Sequence, residues 1–309
     1  MSRSLRAFAF LLILGCLPWT QAAPAEGAVV SSAASYQTTS TTSNSISTGL
    51  KTFTVDAGLS WAASQNIAVV NTSANYMIGT VSSYGSTTLV VAITDVHGST
   101  GPFNSWTVSP IVRGCILQIR TSCANTDLSK QDLSGLDLRF SILAPLNFSK
   151  TRFIETRLNG ANLSRDSLVG ADFTGADLTS ATMSGANLDR ANFTGALLRG
   201  VKGLGVAGTP KALPWPWMIV RGNLTGPGAY LESTNYAFQN VRGFRLGGAD
   251  FRYASLSGAN FTLADLNGAN LHNAQLPGAK LRLADIGRAD LTGANLRGAD
   301  VSQVNSTST

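Results

Sequence analysis

The sequence predicts an all-β chain: a small N-terminal β domain followed by a long parallel β-helix. Three observations carry that prediction. A large apolar residue recurs every five positions, at Leu128, Leu133, Leu138, Leu143, Phe148, Phe153, Leu158, Leu163, Leu168, Phe173, Leu178, Met183, Leu188, Phe193 and Leu198. After an interruption the count resumes at Leu231 and runs through Tyr236, Val241, Leu246, Phe251, Leu256, Phe261, Leu266, Leu271, Leu276, Leu281, Ile286, Leu291 and Leu296 to Val301. A small residue stands two places before the large one, Ala at 171, 176, 181, 186, 191 and 196 and at every repeat from Ala249 to Ala299. Between them lies a position rich in Asp and Asn.

A period of five fits neither the 3.6 of an α-helix nor the 2.0 of a strand. It closes when each five residues form one short extended segment and one corner, so that four segments make a square coil of twenty residues. Successive coils then stack at the interstrand spacing of about 4.8 Å. The large residue points inward together with the small one before it, because the cross-section has no room for two large residues per side. Asp and Asn bond their own turns at the outward place, and Gly at the fifth place, as in Gly170, Gly175 and Gly185, suits the corner. Residues twenty apart should stack: Leu133, Phe153, Phe173 and Phe193 on one side, and Leu138, Leu158, Leu178 and Leu198 on another. In the second block Leu256, Leu276 and Leu296 should stack, as should Phe261, Leu281 and Val301. Such a solenoid is stabilised by the sum of its neighbour contacts.

This A-(D/N)-L/F-x-x register, over residues 126–301, resembles that of the pentapeptide-repeat family. The resemblance implies a right-handed quadrilateral parallel β-helix. It implies little about function, since a fold does not fix one.

From the beginning of the chain, residues 1–23 read as a secretory signal: Arg3 and Arg6, an apolar run from Ala7 to Leu17, and the small-residue context Thr20-Gln21-Ala22, with Ala23-Pro24-Ala25 as a second cleavage option. The run is too short to span a bilayer, and no other stretch reaches that length. Cys16, in Leu14-Gly15-Cys16, keeps a lipoprotein alternative open, although Leu14 fits poorly before Gly there. Residues 24–46 are Ser/Thr-rich without periodicity and read as a linker. Residues 47–112 read as a small β module, with runs at Thr52 to Val55, Ile67 to Val70, Tyr76 to Val81, Thr88 to Ile93 and Trp106 to Val112 between turn signals. Lys51-Thr52-Phe53-Thr54-Val55, Asn75 to Val81 and Ser105 to Ser109 resemble blocks of a module in phage tail-fibre and appendage proteins, which implies a stalk or spacer. Attachment to a surface is the sharper reading.

Residues 113–125 form a junction containing Cys115 and Cys123, which behind an export signal most simply pair as one disulfide closing a loop of about nine residues; the rival reading, a metal site, needs more ligands than these two and the distant His97 and His272. Repeat block 1 covers 126–200, an insert 201–228, block 2 229–303 and a tail 304–309. The insert, with Gly208-Thr209-Pro210 and Leu213-Pro214-Trp215-Pro216-Trp217, resembles one in secreted pentapeptide-repeat proteins, and Trp217 to Val220 reads as a strand. Trp215 and Trp217 either form an aromatic platform for a sugar or pack the loop onto the coil.

No enzyme activity, cofactor or metal is expected. His97 and His272 lie in different domains without a nucleophile motif, and Asp127, Asp132, Asp172, Asp177, Asp250, Asp290 and Asp300 share the repeat's outward position, so the repeat alone explains them. Asn147-Phe148-Ser149 and Asn162-Leu163-Ser164 are by-products of the same register. The known DNA-mimicking topoisomerase inhibitors of the resembled family need a negative surface. Residues 126–309 instead carry eighteen Lys/Arg against fourteen Asp/Glu, a balance of +4, and the whole chain is +6. The cations form no single stripe, so nucleic acid is not an expected partner.

The reading is therefore an exported, non-enzymatic structural or binding protein, in the periplasm, at the cell surface or secreted. Its expected partners are a second copy or another protein at the open C-terminal coil, and anionic cell-surface glycans. A carbohydrate-active β-helix enzyme is the remaining alternative. It would require carboxylates converging beside Trp215 and Trp217.

Overall fold

The computed structural model describes residues 38–57, 61, 63–72, 75–112, 115–116, 123 and 126–307. The signal segment, Cys16 and the first part of the linker lie outside these residues. Among the described residues there is no helix; all regular structure is β.

The N-terminal module is an antiparallel sheet built from β1 (Thr38–Ser40), β3 (Gly49–Thr54), β4 (Asn66–Val70), β5 (Tyr76–Gly85), β6 (Thr88–His97), β8 (Trp106–Val112) and β9 (Cys115–Ile116). Its order is β1-β8-β4-β5-β6-β3, with β9 pairing β8 off that path, while β2 (Asn44–Ser45) and β7 (Pro102–Phe103) form a separate pair. All five sequence-read runs are strands. Alternation puts Phe53, Ile67, Val69, Met77, Leu89, Val91, Trp106 and Val108 on one buried face, and Ala68, Val70, Tyr76 and Ile78 on the other. The Trp106 indole N–H donates to the carbonyls of Thr42 and Phe103, so the largest buried side chain is also satisfied.

The linker expectation needs correcting between residues 38 and 46. Thr38 to Ser40 pair with Val108 to Trp106, and the Thr38 hydroxyl donates to Asp56 Oδ2 at 2.8 Å. Short β-branched Thr side chains suit an edge strand, and β8 had an open side to offer.

From Asp127 onward every isolated bridge joins residues twenty apart in parallel, from Asp127–Asn147 to Asn192–Ala212 and from Tyr230–Asp250 to Asp285–Asn305. The fold is the right-handed quadrilateral parallel β-helix. Its inward ladder is as read: Phe153, Phe173 and Phe193 are fully buried and stack face to face at 4.7 and 4.9 Å, within 4° of parallel. Alanines at the companion slot are buried beside them. The outward Asx residues cap their own turns; Ser129 N–H donates to Asp127 Oδ1 at 2.9 Å, Thr179 N–H to Asp177 Oδ1 at 3.0 Å and Asn267 N–H to Asp265 Oδ1 at 3.0 Å.

Every repeat corner from Lys130 to Gly205 except Pro145, and every one from Gly228 to Gln303, takes a left-handed φ, and not only at glycine. Phe140 (φ 58°) and Phe238 (φ 59°) hold this conformation with their rings outside, each lying over the glycine of the next coil, Gly160 and Gly258. A Cβ at either glycine would approach the ring to 2.5 or 2.6 Å, so the aromatic and the glycine go together.

Candidate functional site

At the interruption the coil gives way to a hairpin, and this happens later than the sequence boundary. Block 1 does not end at residue 200: Thr182–Lys202, Asn187–Ala207 and Asn192–Ala212 continue its ladder. The outward Asx signal fails there, since those places hold Lys202, Ala207 and Ala212. After Ala212 the chain leaves the coil and returns as a hairpin of β10 (Met218–Val220) and β11 (Asn223–Thr225). Leu224 N–H donates to the Gly203 carbonyl at 2.8 Å and Val206 N–H to the Gly222 carbonyl at 2.7 Å, so the hairpin lies across the end of block 1.

The ladder nevertheless passes the seam on one side. Tyr230 N–H donates to the Val201 carbonyl at 3.1 Å, Gly200 N–H to the Gly228 carbonyl at 2.8 Å, and Gly228 N–H to the Gly247 carbonyl at 2.9 Å. Lys202 sits over the Tyr230 ring at 4.6 Å, the Tyr230 hydroxyl donates to Glu232, and Arg252 bonds both Glu232 (3.0 Å) and Asp250 (2.7 Å). The Asp250 hydrogen bond raises the already high pKa of Arg252, and hydrogen bonding to Glu232 raises that of Tyr230.

The hairpin also supplies a hydrogen-bond partner to a phenol in the core. Block 2 places Tyr236, fully buried, where the neighbouring repeats carry Leu231 and Val241. Its hydroxyl shares a hydrogen bond with the Thr225 hydroxyl, which also donates to the Asn223 carbonyl at 2.9 Å. Burial pushes the Tyr236 phenol up to about 12, with hydrogen bonds from the Thr225 and Asn223 side chains opposing. Deleting the hydroxyl (Tyr236→Phe) is expected to cost about 1 kcal/mol, the net worth of one satisfied bond. Thr225→Val should cost more, since it strips a partner from a buried phenol. Urea midpoints of the two variants check the order.

Trp215 and Trp217, read together from sequence, have different fates. Trp217 is partly buried and packs against both hydrophobic clusters, one ending at Leu224 and the other starting at Ala229. It is the packing residue, and a Cβ at Gly226 would meet its ring at 2.5 Å. Trp215 is 76% exposed, with the Arg245 guanidinium 4.5 Å from its ring centroid. Both line an open groove of about 810 Å³, together with Leu197, Arg199, Pro214, Pro227, Gly228, Gly248, Gly268 and Arg288. Among the described residues lining it none is acidic.

The remaining sequence candidates do not converge. His97 pairs with Asp95 (3.0 Å) and stacks on Tyr76 (4.3 Å), whose phenol is pushed up first by burial and then by Asp95. His272 lies in block 2 beside Asn273 (2.9 Å). Among the described residues no group of three or more His, Cys, Asp or Glu is placed to hold a metal ion, and no helix is long and apolar enough to cross a membrane. Cys123 is buried at the entrance of the coil with its sulfur in a disulfide, while the Cys115 side chain lies outside the described residues.

One buried ionisable group escaped the sequence reading. Asp166 occupies the inward slot two places before Leu168, where Ala is the rule, and is 1% exposed. Its Oδ1 accepts from Leu146 N–H at 2.8 Å, and Oδ2 has no partner among the described residues. Its position relative to Leu168 was the available signal.

The fold and seam define a parallel β-helical solenoid with one hairpin insertion. The family model for pentapeptide repeats matches eight copies, over residues 121–160, 156–195, 245–282 and 278–305. These two stretches carry pentapeptide repeats. No curated protein is matched by the sequence. Among solved structures, HetL, a pentapeptide repeat protein involved in heterocyst differentiation regulation from the cyanobacterium Nostoc sp. strain PCC 7120, is 26% identical; the match covers 60% of this chain and 78% of that one, TM-score 0.27. QnrB1, a plasmid-mediated fluoroquinolone resistance protein, is 20% identical over 57% of this chain and 79% of its own, TM-score 0.24. The Pseudomonas phage phi297 tailspike gp61 is 13% identical over 82% of this chain and 46% of its own, TM-score 0.17.

Proposed function

We propose that the protein is an exported, non-enzymatic scaffold whose solenoid serves as a rigid rod and binding surface outside the cytoplasm. The observation that carries this is how the polar residues are spent. The outward Asp and Asn side chains cap their own turns, as at Asp127, Asp177 and Asp265, so carboxylates are distributed along the rod as structure rather than gathered as a reaction centre. Export rests on the signal-like residues 1–23, and a Cys115–Cys123 disulfide at the coil entrance suits an oxidising compartment, in keeping with the bonded sulfur of Cys123. The positive balance of the repeat region argues against mimicry of a DNA duplex.

The last described coil adds a partner surface. Leu291, Leu296 and Val301 occupy the inward register but are only partly buried, Val301 being 46% exposed, and their amides find no ladder acceptor among the described residues. A second copy meeting this end would pair those groups. Fractionation of the native host with intact and native mass of the chain tests the whole reading. A mature chain starting near Ala23 or Glu26 outside the cytoplasm, at twice the monomer mass, is the expected result. An intact Met1 chain in the cytoplasm would sink it, and a monomer at high concentration would remove the end-to-end contact.

A further inference from the structure

The groove beside the hairpin has a chemistry of its own. Gly228, Gly248 and Gly268 stand twenty apart, all with left-handed φ, and at Gly248 and Gly268 an added Cβ would meet nothing. They form a backbone-floored slot along the rod. The fourth place in this column is Arg288, which has an interaction of its own. At the other end Arg199 lies against Gly228. Four coil steps separate these ends, about 19 Å at the interstrand spacing. Trp215 stands beside the slot, exposed, with Arg245 stacked on its ring. The Asp265 carboxylate lies next to Gly247, and its Oδ1 already accepts from Asn267 N–H.

We propose that this groove binds an extended acidic polysaccharide segment, one sugar ring lying on Trp215 and the carboxylates of flanking uronic-acid units meeting Arg199 and Arg288. The aromatic face suits the apolar face of a pyranose, and guanidinium groups suit carboxylates bidentately. A glycine floor admits a flat, ribbon-like chain. One exposed tryptophan at this groove, rather than a row of stacking rings, suits a pyranose chain better than a nucleic acid strand, whose successive bases stack on successive aromatics. The proposal deepens the extracytoplasmic binding reading and rests on it.

Calorimetric titration of the full chain tests the groove directly, using a short oligogalacturonate, a neutral maltooligosaccharide of the same length and an oligothymidylate. Saturable binding of the oligogalacturonate alone is expected, weakening as salt rises. It should fall about tenfold or more in Trp215→Ala and again in a double variant, Arg199→Gln with Arg288→Gln. These substitutions are at a solvent-facing groove, and an unchanged urea midpoint verifies that they leave the coil intact. Absent binding, equal binding of the neutral sugar, tighter binding of the oligothymidylate, or binding indifferent to the variants would each overturn the proposal. A chain found in the cytoplasm would defeat the export reading while leaving this titration unaffected. An exported chain with no titration would defeat only the groove.

Discussion

Replacing Phe173 by alanine is expected to cost about 3–5 kcal/mol, the range for deleting a fully buried aromatic ring. Phe173 is the middle of three parallel rings, 4.7 Å from Phe153 and 4.9 Å from Phe193. Its slot cannot be refilled from the side, because the companion position is the small Ala171, itself buried. Nor can the backbone close in: Phe173 N–H donates to the Asn192 carbonyl at 2.7 Å, and Phe153 N–H to the Asp172 carbonyl at 2.6 Å, which fix the rise on both sides. Phe173→Leu keeps most of the volume and should cost under about 1.5 kcal/mol. In a solenoid each coil touches only its neighbours, so the damage should also be local. Hydrogen exchange should accelerate at the amides of residues 147–197 and change little in block 2, beyond the hairpin. A loss below about 1 kcal/mol, or protection lost evenly along the rod, would contradict a ladder of neighbour contacts.

The Phe153–Phe173–Phe193 ladder is written in the sequence itself, whereas other features depend on tertiary context. The five-residue period is written residue by residue, so the inward ladder, its alanine companions and the Asx caps could be read before any coordinates. Asp166 is legible in the same way, as an acid two places before Leu168 in the inward slot. The boundary at residue 200 misled for a physical reason: Lys202, Ala207 and Ala212 abandon the Asx signal while Val201 and Val206 still point inward and the ladder continues. Thr38 to Ser40 looked like linker because a short edge strand is stabilised by its partner, β8, rather than by a periodicity of its own. The separation of Trp215 from Trp217 lay beyond sequence altogether. It depends on how β10 and β11 lie across the end of block 1, and that is set by the open amides and carbonyls of residues 203–206.

Asp166 should make the solenoid less stable as pH rises, the reverse of what a paired carboxylate does. Burial pushes its carboxyl up to about 8, and the single Leu146 N–H bond only partly opposes this. The folded chain therefore keeps a proton that the unfolded chain gives up near its ordinary carboxylate value. Between about pH 4 and about pH 8 the native state binds more protons, so stability is fully present below that window and is lost as pH rises through it. The gap corresponds to a loss on the order of 5 kcal/mol, a large share of a typical domain's stability. Asp166→Asn retains a carbonyl oxygen for Leu146 N–H and cannot ionise. Its urea midpoint should be nearly flat from pH 5 to pH 8.5 while that of the parent falls, so that the variant is the more stable protein in mild alkali. Asp290 and Asp300 work the other way, held below the ordinary range by the hydroxyls and amides of Thr292 and Ser302, but both lie at the surface and titrate in acid, outside this window. If parent and variant lose stability in parallel between pH 5 and pH 8.5, the buried carboxyl is not what the pH dependence reports. If they diverge as stated, one acid in an alanine slot sets the alkaline limit of block 1.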